Sequence, residues 1–180
     1  MAYNPRLTEL GILNNPYWYA RNPFYQSNVG LPNCTCYAWG RWWEIADPNV
    51  QYINRPNLSL GNAKEWYGYT QDGYERGQTP KLGAVICFAP PSGSTRVGHV
   101  AVVEVIYSDH ITTSNSDYGG EYFYLENLYP DGNGKYHHDV YTSQGFIYNP
   151  FADQPTPASE TKKRHFPFAV AWKHWNGFKR

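Results

Sequence analysis

One stretch of the sequence decides the fold: Pro32-Asn33-Cys34-Thr35-Cys36-Tyr37-Ala38-Trp39-Gly40-Arg41. A proline and an asparagine lead into a thiol, and helix-compatible residues follow, which predicts a helix from Cys34 to about Ala46. The helix ends where Asp47-Pro48-Asn49 begins. The Cys34 sulfur then lies in the first helical turn, where free backbone N–H groups and the helix dipole favour the thiolate. Because a thiolate is a nucleophile, this stretch predicts a reactive cysteine.

The other two cysteines are weaker candidates. Residues two apart on a helix point about 200° away from each other, so only one of Cys34 and Cys36 can face a site, and Cys36 is interpreted as a packed, inert thiol. Cys87 lies inside the apolar run Val85-Ile86-Cys87-Phe88, which is typical of a buried strand. Three cysteines cannot form a closed disulfide framework, and no Cys-x-x-Cys or His-x-x-x-His pattern indicates zinc.

A histidine much further along the chain is the candidate base. His99 follows Gly98 and opens a continuous apolar strand, so its imidazole is held rigidly beside a small neighbour. A helix-start cysteine with a distant, strand-borne histidine is the layout of a thiol hydrolase. The five remaining histidines are interpreted as solvent-exposed polar residues: His110, His137, His138, His165 and His174.

A histidine that acts as a base needs a partner that fixes its tautomer and orientation. A tight turn at Ser108-Asp109 predicts a hairpin, and antiparallel pairing through that turn brings residues 114–117 alongside the segment that carries His99. Asn115 and Asp117 share a strand face by period-two alternation, so either can reach the ring. The geometry leaves the choice between them open.

Helices come first and strands follow, which predicts an α+β domain built on an antiparallel sheet. A second helix is expected over residues 62–69, with Asn62 as its N-cap. We expect a catalytic domain over residues 1–150, which includes a turn-rich lead-in at residues 1–31. Residues 151–180 are expected to be a linker and a basic, aromatic tail, which either touches a polymer or anionic surface or folds back on the domain as a final strand. The expected strands cover residues 83–89, 100–107, 110–115, 122–128 and 143–148.

Composition narrows the function. Fifteen acidic and fifteen basic residues give a formal net charge of zero, which argues against broad binding to nucleic acid or anionic lipid. The 17 Tyr, 7 Trp and 8 Phe fit amphipathic contacts with carbohydrate or peptide polymers. No signal-peptide or membrane-spanning segment is visible, so we expect synthesis in the cytoplasm, and the chain is expected to be a monomer.

Several motifs in series resemble the CHAP domain, the cysteine, histidine-dependent amidohydrolase/peptidase. The stretch around Cys34 resembles its nucleophile motif, and Gly98-His99-Val100-Ala101-Val102-Val103-Glu104 resembles its histidine motif. The resemblance runs from Asn33 to Pro150. Three further segments match in the right order: Gly61-Asn62-Ala63-Lys64-Glu65-Trp66, Gly77-x-x-Pro80-x-x-Gly83-Ala84 and Gln144-Gly145-Phe146-Ile147-Tyr148.

The resemblance implies a papain-like α+β fold, with N-terminal helices packed on an antiparallel sheet, and cleavage of amide bonds in peptidoglycan. The bond is that of an N-acetylmuramoyl-L-alanine amidase or of a peptide endopeptidase. Cys34 is then the nucleophile and His99 the general base and acid. Many members carry Glu-x-Asn at the third position. Here Asn115 stands where a glutamate is frequent and Asp117 where an asparagine is frequent, and we favour Asn115, with Asp117 second.

We expect no cofactor and no metal site. Some members bind calcium in an acidic loop ahead of the nucleophile, whereas Asn22-Pro23-Phe24-Tyr25-Gln26-Ser27-Asn28 has no carboxylate. The expected function is that of a peptidoglycan hydrolase of the phage endolysin or virion-associated type, released by a holin or carried on the virion. The alternative is a catalytically weak wall-binding or virion structural module with the same fold. Candidate substrate-groove walls, with core packing as the alternative for each, are Trp39, Trp42, Trp66 and Tyr118.

Overall fold

The computed structural model describes residues 3–152, and the expected α+β fold with an antiparallel sheet is confirmed. The strands form one sheet in the order β1-β7-β2-β3-β4-β5, with β6 paired to β7, and every pairing is antiparallel. Two helices precede the sheet, α1 (Pro23–Gln26) and α2 (Cys34–Ala46). The strands are β1 (Arg76–Gly77), β2 (Val85–Ala89), β3 (His99–Ile106), β4 (Ile111–Asn115), β5 (Tyr124–Leu128), β6 (His137–His138) and β7 (Tyr141–Ile147).

Helix α2 begins at Cys34 because Asn33 caps it. The Asn33 backbone is extended, and its side-chain Oδ1 accepts hydrogen bonds from the backbone N–H groups of Thr35 and Cys36. The helix ends at Ala46, as the sequence predicts. It is buried almost all round because the sheet covers one side and the N-terminal segment covers the other.

The N-terminal segment is part of the core. Trp18 is fully buried, and its indole N–H donates to the Tyr37 carbonyl at 3.0 Å. The side-chain amide of Asn22, which is also buried, donates to the Cys36 carbonyl at 3.0 Å. Both bonds join this segment to the first turns of α2. The lead-in therefore helps to hold the helix that carries Cys34.

A buried ion-pair network ties α2 to the sheet. The Arg41 guanidinium donates to both carboxylate oxygens of Glu104 on β3, at 2.9 Å each. A β-bulge between Val103 and Val105 sits at this position, and the same carboxylate accepts a 2.7 Å hydrogen bond from the Ser114 hydroxyl on β4. Because each charged group is paired, the network sets the position of α2 on β3 and β4.

The expected second helix over residues 62–69 is wrong. Only Ala63–Glu65 forms one turn of 3₁₀-helix. The Asn62 side chain makes no cap, and the Lys64 N–H donates to the Val97 carbonyl at 2.9 Å. This segment is therefore fastened to the loop before β3. Two short strands, β1 and β6, also escaped the sequence prediction because two-residue pairings leave no hydrophobic period.

Candidate active site

Cys34 lies in the first turn of α2, against the start of β3. The backbone N–H groups of Val100, Thr35 and Cys34 itself favour the thiolate form of its sulfur. Burial raises the pKa of the Cys34 thiol to about 11, although these N–H groups act in the opposite direction. The thiol is the candidate nucleophile, and it faces a groove.

His99 is held by Asn115. The two side chains meet at 3.0 Å between His99 Nε2 and Asn115 Oδ1, and both are buried. The Asn115 amide nitrogen donates to the Thr113 carbonyl at 3.2 Å and to its hydroxyl at 3.0 Å, which turns the amide oxygen towards the ring. The oxygen can only accept, so Nε2 carries the proton and Nδ1 is the nitrogen that can act as a base.

Asp117 approaches the same ring from another direction. Strand β4 ends at Asn115, and Asp117 follows in the loop, where its side chain is 50% exposed. One carboxylate oxygen lies 3.8 Å from His99 Nδ1. The loop is fixed to the start of α2, because the Ser116 hydroxyl accepts from the Asn33 backbone N–H at 3.0 Å. Both candidate partners thus lie at the ring, one at each nitrogen.

The environment favours the neutral form of His99 as well as of Cys34. Burial lowers the pKa of His99 to about 4, and the neighbouring His138 contributes to this shift. At neutral pH the resting pair is therefore a thiol and an imidazole. A Cys34 nucleophile would therefore have to lose its proton as it attacks a substrate.

His138 is a residue of the site that sequence reasoning missed. Its ring stacks on His99 with centroids 4.0 Å apart and an angle of 20° between the planes. Its Nδ1 lies 2.8 Å from a Glu126 carboxylate oxygen, and its side chain is only 13% exposed. The interpretation of His138 as a solvent-exposed loop residue is wrong, because the β6–β7 hairpin carries it over His99. Only the pair of adjacent histidines ahead of a strand hinted at it.

The site opens into a groove of about 860 Å³. Tyr118 lies on its rim and is 82% exposed. The expectation that Trp39, Trp42 and Trp66 form groove walls is wrong, since all three are buried in the core and none lines the groove. Their indoles fill the space between α2, the N-terminal segment and the sheet. The groove is lined, among others, by Phe24, Val29, Leu60, Val97, Asp139 and Tyr141.

The other two thiols lie away from the groove. Cys36 Sγ is 3.5 Å from the Trp18 carbonyl, and burial raises the pKa of Cys36 to about 12. Cys87 is buried in β2, and burial raises its pKa as well. Of the three cysteines, Cys34 has the smallest upward pKa shift and lines the groove.

One group of side chains in the described part of the chain has the donors for a metal ion. His99, Asp117 and His138 each offer one ligand atom, and these three atoms lie within 4.8 Å of one another. No helix among residues 3–152 is long and apolar enough to cross a membrane.

The fold is α+β with an antiparallel sheet, and it brings a helix-start cysteine and a buried histidine to one groove. The CHAP domain model matches residues 24–117, just over half of the chain, and the protein belongs to the CHAP domain family. CHAP domains are generally hydrolases that act on peptidoglycan. The match includes Cys34, His99, Asn115 and Asp117, whereas His138 lies beyond it.

No curated protein matches the chain. Among solved structures, the chain is similar to one described as "The crystal structure of Ly7917", with 17% sequence identity and a TM-score of 0.45. The alignment covers 68% of this chain and 55% of that one, so the chain spans just over half of the length of its neighbour.

Proposed function

We propose that the protein hydrolyses an amide bond of peptidoglycan, as an N-acetylmuramoyl-L-alanine amidase or a peptide endopeptidase, with Cys34 as nucleophile. One observation carries the proposal: Cys34 and His99 line the same groove while Asn115 holds the far nitrogen of the imidazole. This is the division of labour that a thiol hydrolase needs, with a nucleophile, a base and a group that orients the base.

The proposed reaction has two halves. The Cys34 sulfur attacks the amide carbonyl carbon while His99 Nδ1 takes the thiol proton. The negative charge on the carbonyl oxygen is stabilised by the Cys34 backbone N–H at the start of α2. His99 then gives the proton to the leaving amine, and the acyl group remains on sulfur. In the second half His99 takes a proton from water, whose oxygen attacks the thioester carbonyl carbon. The carbon–sulfur bond then breaks, the carboxylic acid leaves, and His99 returns the proton to the Cys34 sulfur.

The groove supports a polymeric substrate. Cys34 lines it, together with exposed aromatic and aliphatic side chains that include Tyr118 and Leu60. An exposed tyrosine offers a flat apolar face and a hydroxyl, which suits stacking on a sugar or a peptide. Of the four aromatic residues that the sequence suggests as groove walls, we propose that Tyr118 binds the substrate.

The alternative is a wall-binding or virion structural module with weak catalysis. The pKa shifts favour it: burial raises the pKa of Cys34 to about 11 and lowers that of His99 to about 4, so the resting pair is not charged. A thiol that stays protonated at neutral pH is a slower nucleophile than a thiolate.

Wall hydrolysis separates the two functions. The full chain and Cys34→Ala are compared on purified Gram-positive walls, with Cys36→Ala as a matched control that removes a thiol outside the groove. We expect the parent and Cys36→Ala to release soluble muropeptides and Cys34→Ala to release none. Equal clearing by the parent and Cys34→Ala rejects the thiol mechanism. Mass spectrometry of the products identifies the bond, because an amidase leaves a new N-terminal alanine and an endopeptidase leaves a different terminus.

We further propose that the protein is a phage lysin, delivered to the wall by a holin or on the virion. This proposal rests on the sequence interpretation. Expression inside a Gram-positive host tests it: cells are expected to lyse only after the membrane is permeabilised. Lysis without permeabilisation contradicts this route.

The proposed domain boundary also rests on the sequence. The structure describes the chain as far as Ala152, and the basic aromatic tail at residues 161–180 lies outside the described residues. Wall binding by the full chain, compared with a chain that stops at Ala152, tests whether the tail has a role of its own.

A further inference from the structure

We infer that His99, His138 and Asp117 form an inhibitory binding site for Zn²⁺ at the mouth of the groove. The inference rests on the proposed function in one respect only: the inhibited reaction is the one assigned to His99. The binding of the ion itself can be measured without any activity.

The three donors come from three different parts of the chain. His99 opens β3, Asp117 follows β4, and His138 ends β6. Their ligand atoms lie within 4.8 Å of one another, and all three side chains line the groove. Two imidazoles and one carboxylate are a common protein ligand set for zinc, with a water or substrate atom completing a tetrahedron. Calcium and magnesium prefer all-oxygen ligands, so this set selects a transition metal.

The outer shell of such a site is already in place. A metal-binding histidine almost always donates its second ring N–H to an oxygen, which orients the ring and raises its basicity. His99 Nε2 lies 3.0 Å from Asn115 Oδ1, and His138 Nδ1 lies 2.8 Å from Glu126 Oε2. Each ring therefore has one nitrogen engaged by an oxygen acceptor and the other left to act as a ligand. His99 presents Nδ1, towards Asp117, and His138 presents Nε2.

The ring planes set one condition on binding. The two imidazole planes are inclined by only 20° and their centroids are 4.0 Å apart, so the nitrogen lone pairs lie in two nearly parallel planes. The rings must tilt towards each other before both lone pairs point at one ion. His138 lines the open groove, which leaves space on that side for the ring to turn. Asp117 is half-exposed and can complete the site from the loop.

Zinc at this site would stop the proposed reaction. The ion takes the lone pair of His99 Nδ1, which is the nitrogen that accepts the Cys34 proton. Zinc also binds thiolates, so a Cys34–His99 pair could capture it without His138. The two modes differ in one respect: only the inferred site needs the His138 nitrogen.

Direct titration distinguishes zinc binding at the inferred site from zinc binding by the Cys34–His99 pair. ZnCl₂ is titrated by calorimetry into Cys34→Ala, which removes the thiol, and into the same protein with His138→Phe added, which keeps a stacked ring but no nitrogen. His137→Phe is the matched control, because His137 is the adjacent histidine and pairs with Asp131 instead. We expect His138→Phe to weaken binding at least about tenfold and His137→Phe to leave it unchanged. Absence of zinc binding by Cys34→Ala below 1 mM, with its thermal unfolding intact, overturns the site, as does equal weakening by both phenylalanine variants.

A second measurement tests inhibition. Each active variant is assayed on walls with and without ZnCl₂. The ratio of these two rates is calculated for each variant and compared between variants. The parent and His137→Phe are expected to lose activity and to recover it with EDTA, whereas His138→Phe keeps activity at the zinc concentration that halves the parent rate. Equal inhibition of all three assigns zinc to the thiol pair and overturns the inference. If the parent shows no hydrolysis at all, the proposed function fails, and the titration still decides the metal site.

Discussion

His99 Nε2 lies 3.0 Å from Asn115 Oδ1, and the Asn115 amide nitrogen is itself anchored on Thr113. The anchor prevents the amide from turning its nitrogen to the ring, so the imidazole can only present Nδ1 as a base. In the proposed mechanism this contact makes Asn115, rather than Asp117, the group that orients the histidine. One Asp117 carboxylate oxygen lies 3.8 Å from His99 Nδ1, the nitrogen proposed as the base.

Asn115→Ala should lower kcat/KM for wall hydrolysis by roughly 10- to 100-fold, because the ring loses the acceptor that fixes its tautomer. Asn127→Ala is the matched control: Asn127 lies on the adjacent strand β5, where it accepts a hydrogen bond from Thr112, away from the ring. Turbidity loss of purified walls measures both. Equal rate losses in the two variants would show that the effect is structural.

Asp117→Asn should make Cys34 more reactive. Burial is the main reason why the pKa of Cys34 is raised, and the negative charge of Asp117 adds to it. Removing this charge should lower the pKa of the thiol and speed its alkylation at pH 8 by about two- to fivefold. Asp139→Asn, on the same groove, is the control and should leave the rate unchanged. Iodoacetamide kinetics followed by intact mass give the rates, and a slower reaction in Asp117→Asn contradicts the prediction.

The three cysteines should differ in labelling. Cys34 lines the groove, whereas Cys36 and Cys87 are fully buried and burial raises the pKa of each further than that of Cys34. Under native conditions a thiol reagent should therefore modify Cys34 first, and all three should react after unfolding in urea. Peptide mapping by mass spectrometry locates the label. Native labelling of Cys36 ahead of Cys34 would count against the assignment of the nucleophile.

Gly98→Ala should destabilise the protein by more than about 2 kcal/mol. Gly98 has a φ of +83°, and an added Cβ would lie 2.6 Å from the Phe88 carbonyl oxygen and 2.7 Å from the Lys64 backbone nitrogen. Gly93→Ala is the matched control, because its φ is +79° but a Cβ there meets nothing within 4 Å, and it should cost about 1 kcal/mol. Urea unfolding measures both free energies. Equal losses would mean that the close approach at Gly98 contributes nothing.

Glu44→Gln should destabilise the protein at neutral pH and reduce its sensitivity to acid. Burial alone would raise the pKa of Glu44, but hydrogen bonds from Arg6 and the charge of Arg41 lower it below the usual range. A carboxyl group whose pKa is lower in the folded state than in the unfolded state, where it is about 4.3, stabilises the fold above pH 4.3. This contribution to the free energy of unfolding is lost as the pH falls through the folded-state pKa. We expect Glu44→Gln to lower the free energy of unfolding by about 1–2 kcal/mol at pH 7, and by less as the pH is lowered.

Glu75→Gln is the control for this prediction. Glu75 is exposed and lies 3.6 Å from Lys81, so its removal should cost about 0–0.5 kcal/mol. Urea unfolding at pH 7 and at pH 3 measures both variants. A Glu44→Gln deficit that stays constant across this range would mean that the carboxylate charge is not the cause.

The local signals around Cys34 and His99 could be read directly from the chain. The Asn33 cap starts α2 because its side chain satisfies N–H groups only two and three residues away. The strands that follow His99 were visible for the same reason, since a hydrophobic run needs no knowledge of its partners. The prediction of a second helix is wrong because the Lys64 N–H donates to the Val97 carbonyl, more than thirty residues later. No local sequence pattern indicates such a bond.

The sequence by itself determined the α+β order, the helix start that carries Cys34 and the pair of polar residues, Asn115 and Asp117, that could serve His99. The tertiary structure alone decided which of them binds which nitrogen, that three tryptophans lie in the core, and that His138 covers the ring. Capping and strand formation depend on neighbours along the chain, whereas these choices depend on which side chains the sheet register brings together. A register such as that of β6 with β7 rests on contacts between strands and is not encoded in either strand alone.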